Sequence, residues 1–206
     1  MLFFSYLVLA LASIMAALLV YRQSGPLTEK SKVAASIVAI CCLLITLSAI
    51  TPLVVNGRSD DSEMLRLMFS NLQLYLALPL ICTIILFRGI GKDYSKAAWG
   101  RWSLVLLALF ELCRRAEVGD YYSVSIAALG SFCIAAGLIY KQKKLTVVPY
   151  IASISFAGTA LMFSPHIQIN STLDHLRELS TYNIVLALSL CLVNFCFSKR
   201  LDTRSK

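Results

Sequence analysis

Seven stretches of the chain are apolar over about the 20 residues that a helix needs to cross a bilayer: 2–21, 33–55, 67–88, 99–116, 121–140, 146–164 and 179–198. Within hydrocarbon no water satisfies a backbone N–H or C=O, so a stretch of this kind has to be helical. Only 15% of the 206 residues are charged, against roughly a quarter in soluble proteins, and the mean hydropathy is +0.75. Almost no chain is left over for a soluble domain. The expected fold is an all-α integral membrane protein of seven transmembrane helices, with the lipid bilayer as its first partner. The triplet Ala10-Leu11-Ala12 resembles a leader-peptide cleavage site. No Lys or Arg precedes it and the apolar run continues beyond it, so the first segment is expected to be a retained helix.

The net charge of +8 would suit a nucleic-acid partner if it were clustered, but it alternates from loop to loop. Arg22, Lys30 and Lys32 follow the first segment; Arg88, Lys92, Lys96 and Arg101 join the third to the fourth; Lys141, Lys143 and Lys144 follow the fifth; Lys199, Arg200, Arg204 and Lys206 end the chain. The intervening loops carry Asp60, Asp61, Glu63, Glu117, Asp120, Asp174 and Glu178, balanced only by Arg58, Arg66 and Arg177, besides Arg114 and Arg115 at the end of the fourth segment. By the positive-inside rule the N-terminus is expected outside and the C-terminus in the cytoplasm. The expected location is the plasma membrane, or the inner membrane of a bacterium, and no nucleic acid is expected.

The chain also repeats itself. Ala16-Ala17-Leu18-Leu19-Val20-Tyr21-Arg22-Gln23 returns as Ala135-Ala136-Gly137-Leu138-Ile139-Tyr140-Lys141-Gln142, identical at five of eight positions. After a gap of six residues Ala39, Thr46 and Pro52 align with Ala152, Thr159 and Pro165, and one residue further out of step Asn71 aligns with Asn183. The spacing predicts two parallel three-helix repeats, residues 1–88 and 119–206, joined by a linker helix within 89–118 that lets the second copy insert the same way round as the first. Ala12, Ala16 and Ala17 form a small-residue face suited to close helix approach.

Two groups of residues are candidates for chemistry. Asn71 and Asn183 lie at matching positions of the repeat and are expected to face each other, with Gln73 and Tyr75 beside Asn71 and with Asn71, Tyr75 and Cys82 on one helical face. Each amide offers donors and acceptors to a hydroxylated or amide-bearing solute, and each could equally serve as interhelical glue. In the fourth segment Glu111, Arg114 and Arg115 sit at i, i+3 and i+4. A carboxylate at that depth is either paired or functional, and a structural Glu111–Arg114 pair, with Arg115 reaching to water, is the favoured arrangement. His166, His175, Asp174 and Glu178 have no standard metal-ligand spacing. The seven cysteines form no C-x-x-C pair and are expected to be free thiols. No hydrolase, metalloprotease or nucleotide-binding motif occurs, and the seventh segment has no lysine for a retinal Schiff base. Neither enzyme activity nor a cofactor is expected.

The three-plus-one-plus-three order, the outward N-terminus and the Asn71/Asn183 pair resemble the SWEET and PQ-loop transporters, to which the PnuC-type vitamin transporters are similar in layout. The resemblance implies that Asn71 and Asn183 line a substrate site between the repeats. It does not extend to a Pro-Gln dipeptide, to prolines in the first and fifth segments or to tryptophans in the second and sixth, so it specifies a polar solute without specifying a sugar. The expected function is a membrane carrier for a small polar solute. The alternative is a non-enzymatic seven-helix sensor or accessory subunit of a membrane complex. Homo-oligomerisation or a membrane-protein partner is compatible with either.

Overall fold

Each apolar segment of the sequence is helical over its described residues, apart from the end residues Val55, Ala116, Tyr140 and Val147. The structure, a computed structural model, describes residues 2–23, 29–55, 60–116, 119–140, 147–162 and 179–202. Among them are no strands and seven helices: α1 (Leu2–Gln23), α2 (Glu29–Val54), α3 (Asp60–Ile90), α4 (Lys96–Arg115), α5 (Gly119–Ile139), α6 (Val148–Met162) and α7 (Leu179–Asp202). By length and composition α1, α2, α3 and α7 can each cross a membrane. The other three are less clear-cut than the sequence segments suggest. Lys96, Arg101, Glu111, Arg114 and Arg115 leave α4 no charge-poor stretch of spanning length, the apolar part of α5 is Val124–Ile139, and α6 has 15 described residues.

The packing is turned inside out relative to a water-soluble bundle. Large apolar side chains cover the outside: Phe3, Leu11 and Leu18 on α1, Ile40 and Leu43 on α2, Leu104 and Leu112 on α4, Phe132 on α5, Ile154 on α6 and Leu188 on α7 are all exposed. The interior instead takes small and weakly polar residues, among them Ser13, Ala16, Ala35, Cys42, Thr46, Ser189 and Asn194. In water such an exterior would collapse or aggregate. In lipid it costs nothing, and association comes from close packing and interhelical hydrogen bonds.

Six helices close into a ring. α1 packs along α2 and α7, α3 along α2 and α5, and α6 along α5 and α7, while α4 lies outside against the middle of α3 and against α5. Ser13 and Thr46 join α1 to α2 with a buried hydroxyl pair 2.7 Å apart, and each hydroxyl also bonds a carbonyl of its own helix. The small face of α1 is buried at Ala16 and Ala17, as its spacing predicts. At the far end of the same helix Ser198 of α7 donates to Gln23.

The α3–α5 seam is closer still. A Cβ on Gly137 would lie 2.6 Å from the Ile85 carbonyl oxygen, and one on Gly89 would lie 2.3 Å from the Gly137 oxygen. Neither backbone can yield without the helices separating. Beyond this seam α3 stops at Gly91, which takes the left-handed conformation (φ 93°) and returns its N–H to Phe87 and Arg88. Arg88, buried at the same end, donates to Ser31 of α2 and to Asp93 at 2.7 Å. α4 is attached by Trp102, whose indole N–H donates to Thr83 at 3.3 Å, and by the Tyr94–Trp99 edge contact at 6.0 Å. These bonds pin α2, α3 and α4 together where α3 ends.

Gly137→Ala should therefore destabilise the protein by about 1–3 kcal/mol, the usual cost of overpacking. Gly158→Ala on α6, where an added Cβ meets nothing within 4 Å, should be neutral or stabilising. Chemical denaturation of both variants in one detergent checks the difference.

Candidate functional site

The feature that builds the site is a proline. Pro79 has no N–H to donate, and its ring crowds the preceding turn, which disfavours regular α-helical bonding of α3 in this region. The helix widens into a π-turn at Gln73–Ala77, where the Leu78 N–H reaches back to the Gln73 oxygen. The extra residue rotates the N-terminal half of α3 by about 100° relative to its C-terminal half, one residue's turn of an α-helix. Gln73 is swung into the protein interior and is buried.

A cavity of about 280 Å³ lies beside this turn. α3 contributes Arg66, Ser70 and Gln73 to it, at i, i+4 and i+7, with Leu67 and Leu74 alongside them. The start of α1 adds Tyr6 and Leu9, the end of α2 adds Ser48, Ala49 and Pro52, and the start of α7 adds Tyr182 and Asn183. The cavity thus sits at one end of the ring, the end opposite the Arg88–Ser31–Asp93 cluster.

The polar lining is organised. The Asn183 amide donates to Ser5 at 3.4 Å and is hydrogen-bonded with Tyr6, while Gln73 bonds Tyr182 across the cavity. Arg66 donates to the Val55 carbonyl just past α2, and its charge acts on Tyr6. The arrangement offers hydroxyl and amide groups in neighbouring positions plus one cation, over a floor of leucines. It can hold a small polar molecule through several hydrogen bonds at once.

Of the residues that the sequence singles out, Gln73 and Asn183 line the cavity and Asn71 and Tyr75 do not. Asn71 is exposed, one position round the helix from the cavity-lining Ser70. Tyr75 stacks on Phe110 of α4, ring centroids 4.2 Å apart. The two asparagines therefore do not face each other, because α3 carries the π-turn and α7 runs unbroken from Leu179 to Asp202. Cys82, which spacing assigns to the face of Asn71 and Tyr75, instead packs against α5, its sulfur 3.1 Å from where a Cβ on Gly130 would stand.

Glu111 has a described partner in Arg115. It accepts from Arg115 at 2.9 Å; the Arg114 side chain lies outside the described residues. With the Arg115 side chain 76% and the Glu111 side chain 40% exposed, this is a pair on the outer surface of α4, and it does not reach the cavity. All seven cysteines are free. His166, His175, Asp174 and Glu178 lie outside the described residues, among which no cluster of potential metal ligands occurs.

Arg66, Ser70, Tyr6, Ser48 and Tyr182 are lining residues that the repeat alignment passes over. The signal for the first two is a polar stripe at helical spacing, Arg66-x-x-x-Ser70-x-x-Gln73. Tyr6 and Tyr182 each fall near the start of a helix, where a tyrosine reads equally well as an interfacial anchor.

The contrast in environment separates the asparagines. Asn183→Ala should cost about 1–3 kcal/mol, since it strips partners from buried hydroxyls, whereas Asn71→Ala at its exposed position should stay within about 0.5 kcal/mol of the parent. Parallel unfolding curves of the two variants check this, and equal losses would contradict the geometry.

In comparisons with known proteins no family model matches the chain, and no curated protein or solved structure is similar to it, so the chemistry of the site rests on its own residues.

Proposed function

We propose that the protein is a multi-pass membrane carrier that binds a small polar solute in the cavity between α1, α2, α3 and α7. The observation that carries this reading is the lining itself: Tyr6, Ser48, Arg66, Ser70, Gln73, Tyr182 and Asn183 converge on one space at a helix-bundle end. Interhelical glue alone needs no such cavity.

In this reading all seven helices cross the membrane, with the N-terminus outside. The first three helices form one unit, α5 to α7 form its parallel repeat, and α4 is the linker. The order of helix contacts supports the repeat. Exchanging α1 with α5, α2 with α6 and α3 with α7 turns the pairs α1–α2, α2–α3 and α3–α5 into α5–α6, α6–α7 and α7–α1, all of which are in contact. The layout is that of the SWEET and PQ-loop carriers, and the same proposal extends to the plasma membrane, or its bacterial counterpart, as location.

Transport follows from rocking one three-helix unit against the other. The cavity faces the outer end, while Arg88, Ser31 and Asp93, with the Ser198–Gln23 bond, hold the inner ends of α2, α3, α1 and α7 together. Opening inward means breaking these few polar bonds. The π-turn at Gln73–Ala77 is a natural place for α3 to bend, because its wider turn is already released from regular α-helical bonding.

Purified protein in proteoliposomes should take up at least one member of a radiolabelled panel of small polar solutes. Gln73→Ala should lower that uptake by tenfold or more while the protein still inserts and melts as a folded species. Folded protein that moves no solute but co-purifies stoichiometrically with a membrane complex would overturn the carrier reading in favour of an accessory subunit.

A further inference from the structure

Among the described residues the cavity is lined by one cation and no anion. Arg66 is the single charged side chain among its lining residues. The acidic residues of the same helix, Asp60, Asp61 and Glu63, belong to its first turn and do not line the space. Among the described residues no carboxylate pairs with Arg66, and what holds it is a neutral acceptor, the Val55 carbonyl. Its Nε is buried and has no hydrogen-bond partner among them. Among the described residues this guanidinium therefore has no counter-charge and one buried donor unused, and a buried donor is costly unless something pairs with it.

We propose that the missing partner is the solute, and that the solute is a small monocarboxylate. This rests on the reading of the cavity as a carrier site and adds its chemical class. A carboxylate fits the planar donor set of arginine, which can bind both its oxygens. A single cation neutralises a single negative charge; a phosphate dianion would leave a surplus where the described lining supplies no second cation. The rest of the cavity sets the rest of the molecule. Leu9, Ala49, Leu67 and Leu74 accept an apolar body, and Tyr6, on which the Arg66 charge acts, stands where a hydroxyl or second carboxylate oxygen would be met. At about 280 Å³ the space lies just below the usual ligand-pocket range of about 300–1,000 Å³, which limits the solute to a small molecule.

The test uses the full chain in lipid nanodiscs and three acids, each beside its own neutral amide: acetate and acetamide, lactate and lactamide, benzoate and benzamide. Calorimetric titration should find at least one acid binding saturably and at least tenfold more tightly than its amide. Arg66→Gln should abolish that preference with the unliganded melting temperature preserved, and Arg66→Lys should keep part of it. The acid-over-amide comparison in the parent protein stands even if Arg66→Gln fails to fold. Amides binding as tightly as acids, no acid binding at all, or a folded Arg66→Gln that keeps the preference would each overturn the proposal. The two readings fail separately: uptake of a neutral solute through the Gln73-dependent route would retain the carrier and remove the anion, while carboxylate binding without uptake would do the reverse.

Discussion

A backbone that cannot complete its own hydrogen bonds sets the geometry of this protein's site. Pro79 deprives α3 of one donor, and the response is the five-residue π-turn from Gln73 to Ala77. That local change divides α3 into two faces that serve different neighbours. Up to the start of the turn, Arg66, Ser70 and Gln73 line a cavity shared with α1, α2 and α7. After it, Cys82, Ile85 and Gly89 meet α5, and there the backbones approach too closely to admit a Cβ. Without the added residue one of these faces would be misaligned, because a regular helix cannot rotate by an extra residue between them.

The contrast between the two ends of the ring follows from the same partition. At one end tyrosine hydroxyls, amides and a guanidinium surround open space. At the other the polar groups are used up on each other: Arg88 on Ser31 and Asp93, Ser198 on Gln23. Between them the interior mixes small residues with large apolar ones such as Ile81, Ile134 and Leu190, and its hydroxyls mostly bond carbonyls of their own helices, as Ser153, Thr159 and Ser189 do. The polar bonds at the ends, with the Ser13–Thr46 pair, are among the contacts that distinguish one arrangement of the helices from another.

Much of this is legible in the sequence, and the limits have a physical pattern. Helix positions can be read because apolar length is a coarse signal that local detail cannot erase. The small face at Ala16 and Ala17 can be read because α1 is regular, and spacing maps directly onto direction there. The same logic fails at Asn71, Tyr75 and Cys82, since it assumes 3.6 residues per turn across Pro79. The proline is visible; how the helix answers it, by a kink, a break or a π-turn, depends on the tertiary contacts of Leu74 and Tyr75. Gln73 and Asn183 do reach the cavity, but repeat spacing pairs Asn183 with the wrong partner on α3. Both the i+3 and the i+4 arginine satisfy helical spacing from Glu111, so spacing alone does not say that Arg115 bonds it.

A polar cavity opens at the end of the ring where α1 begins. Ser48 of α2 lines it and is only half-buried, whereas the neighbouring native thiols Cys41 and Cys42 are buried in the core. A Ser48→Cys variant in sealed proteoliposomes, treated with a membrane-impermeant thiol reagent and read by mass spectrometry, tests the claim directly. The account predicts modification of the introduced thiol from the side that bears the N-terminus of α1, with Cys41 and Cys42 untouched. A variant that stays unmodified from both sides, or reacts no faster than Cys42, would contradict it.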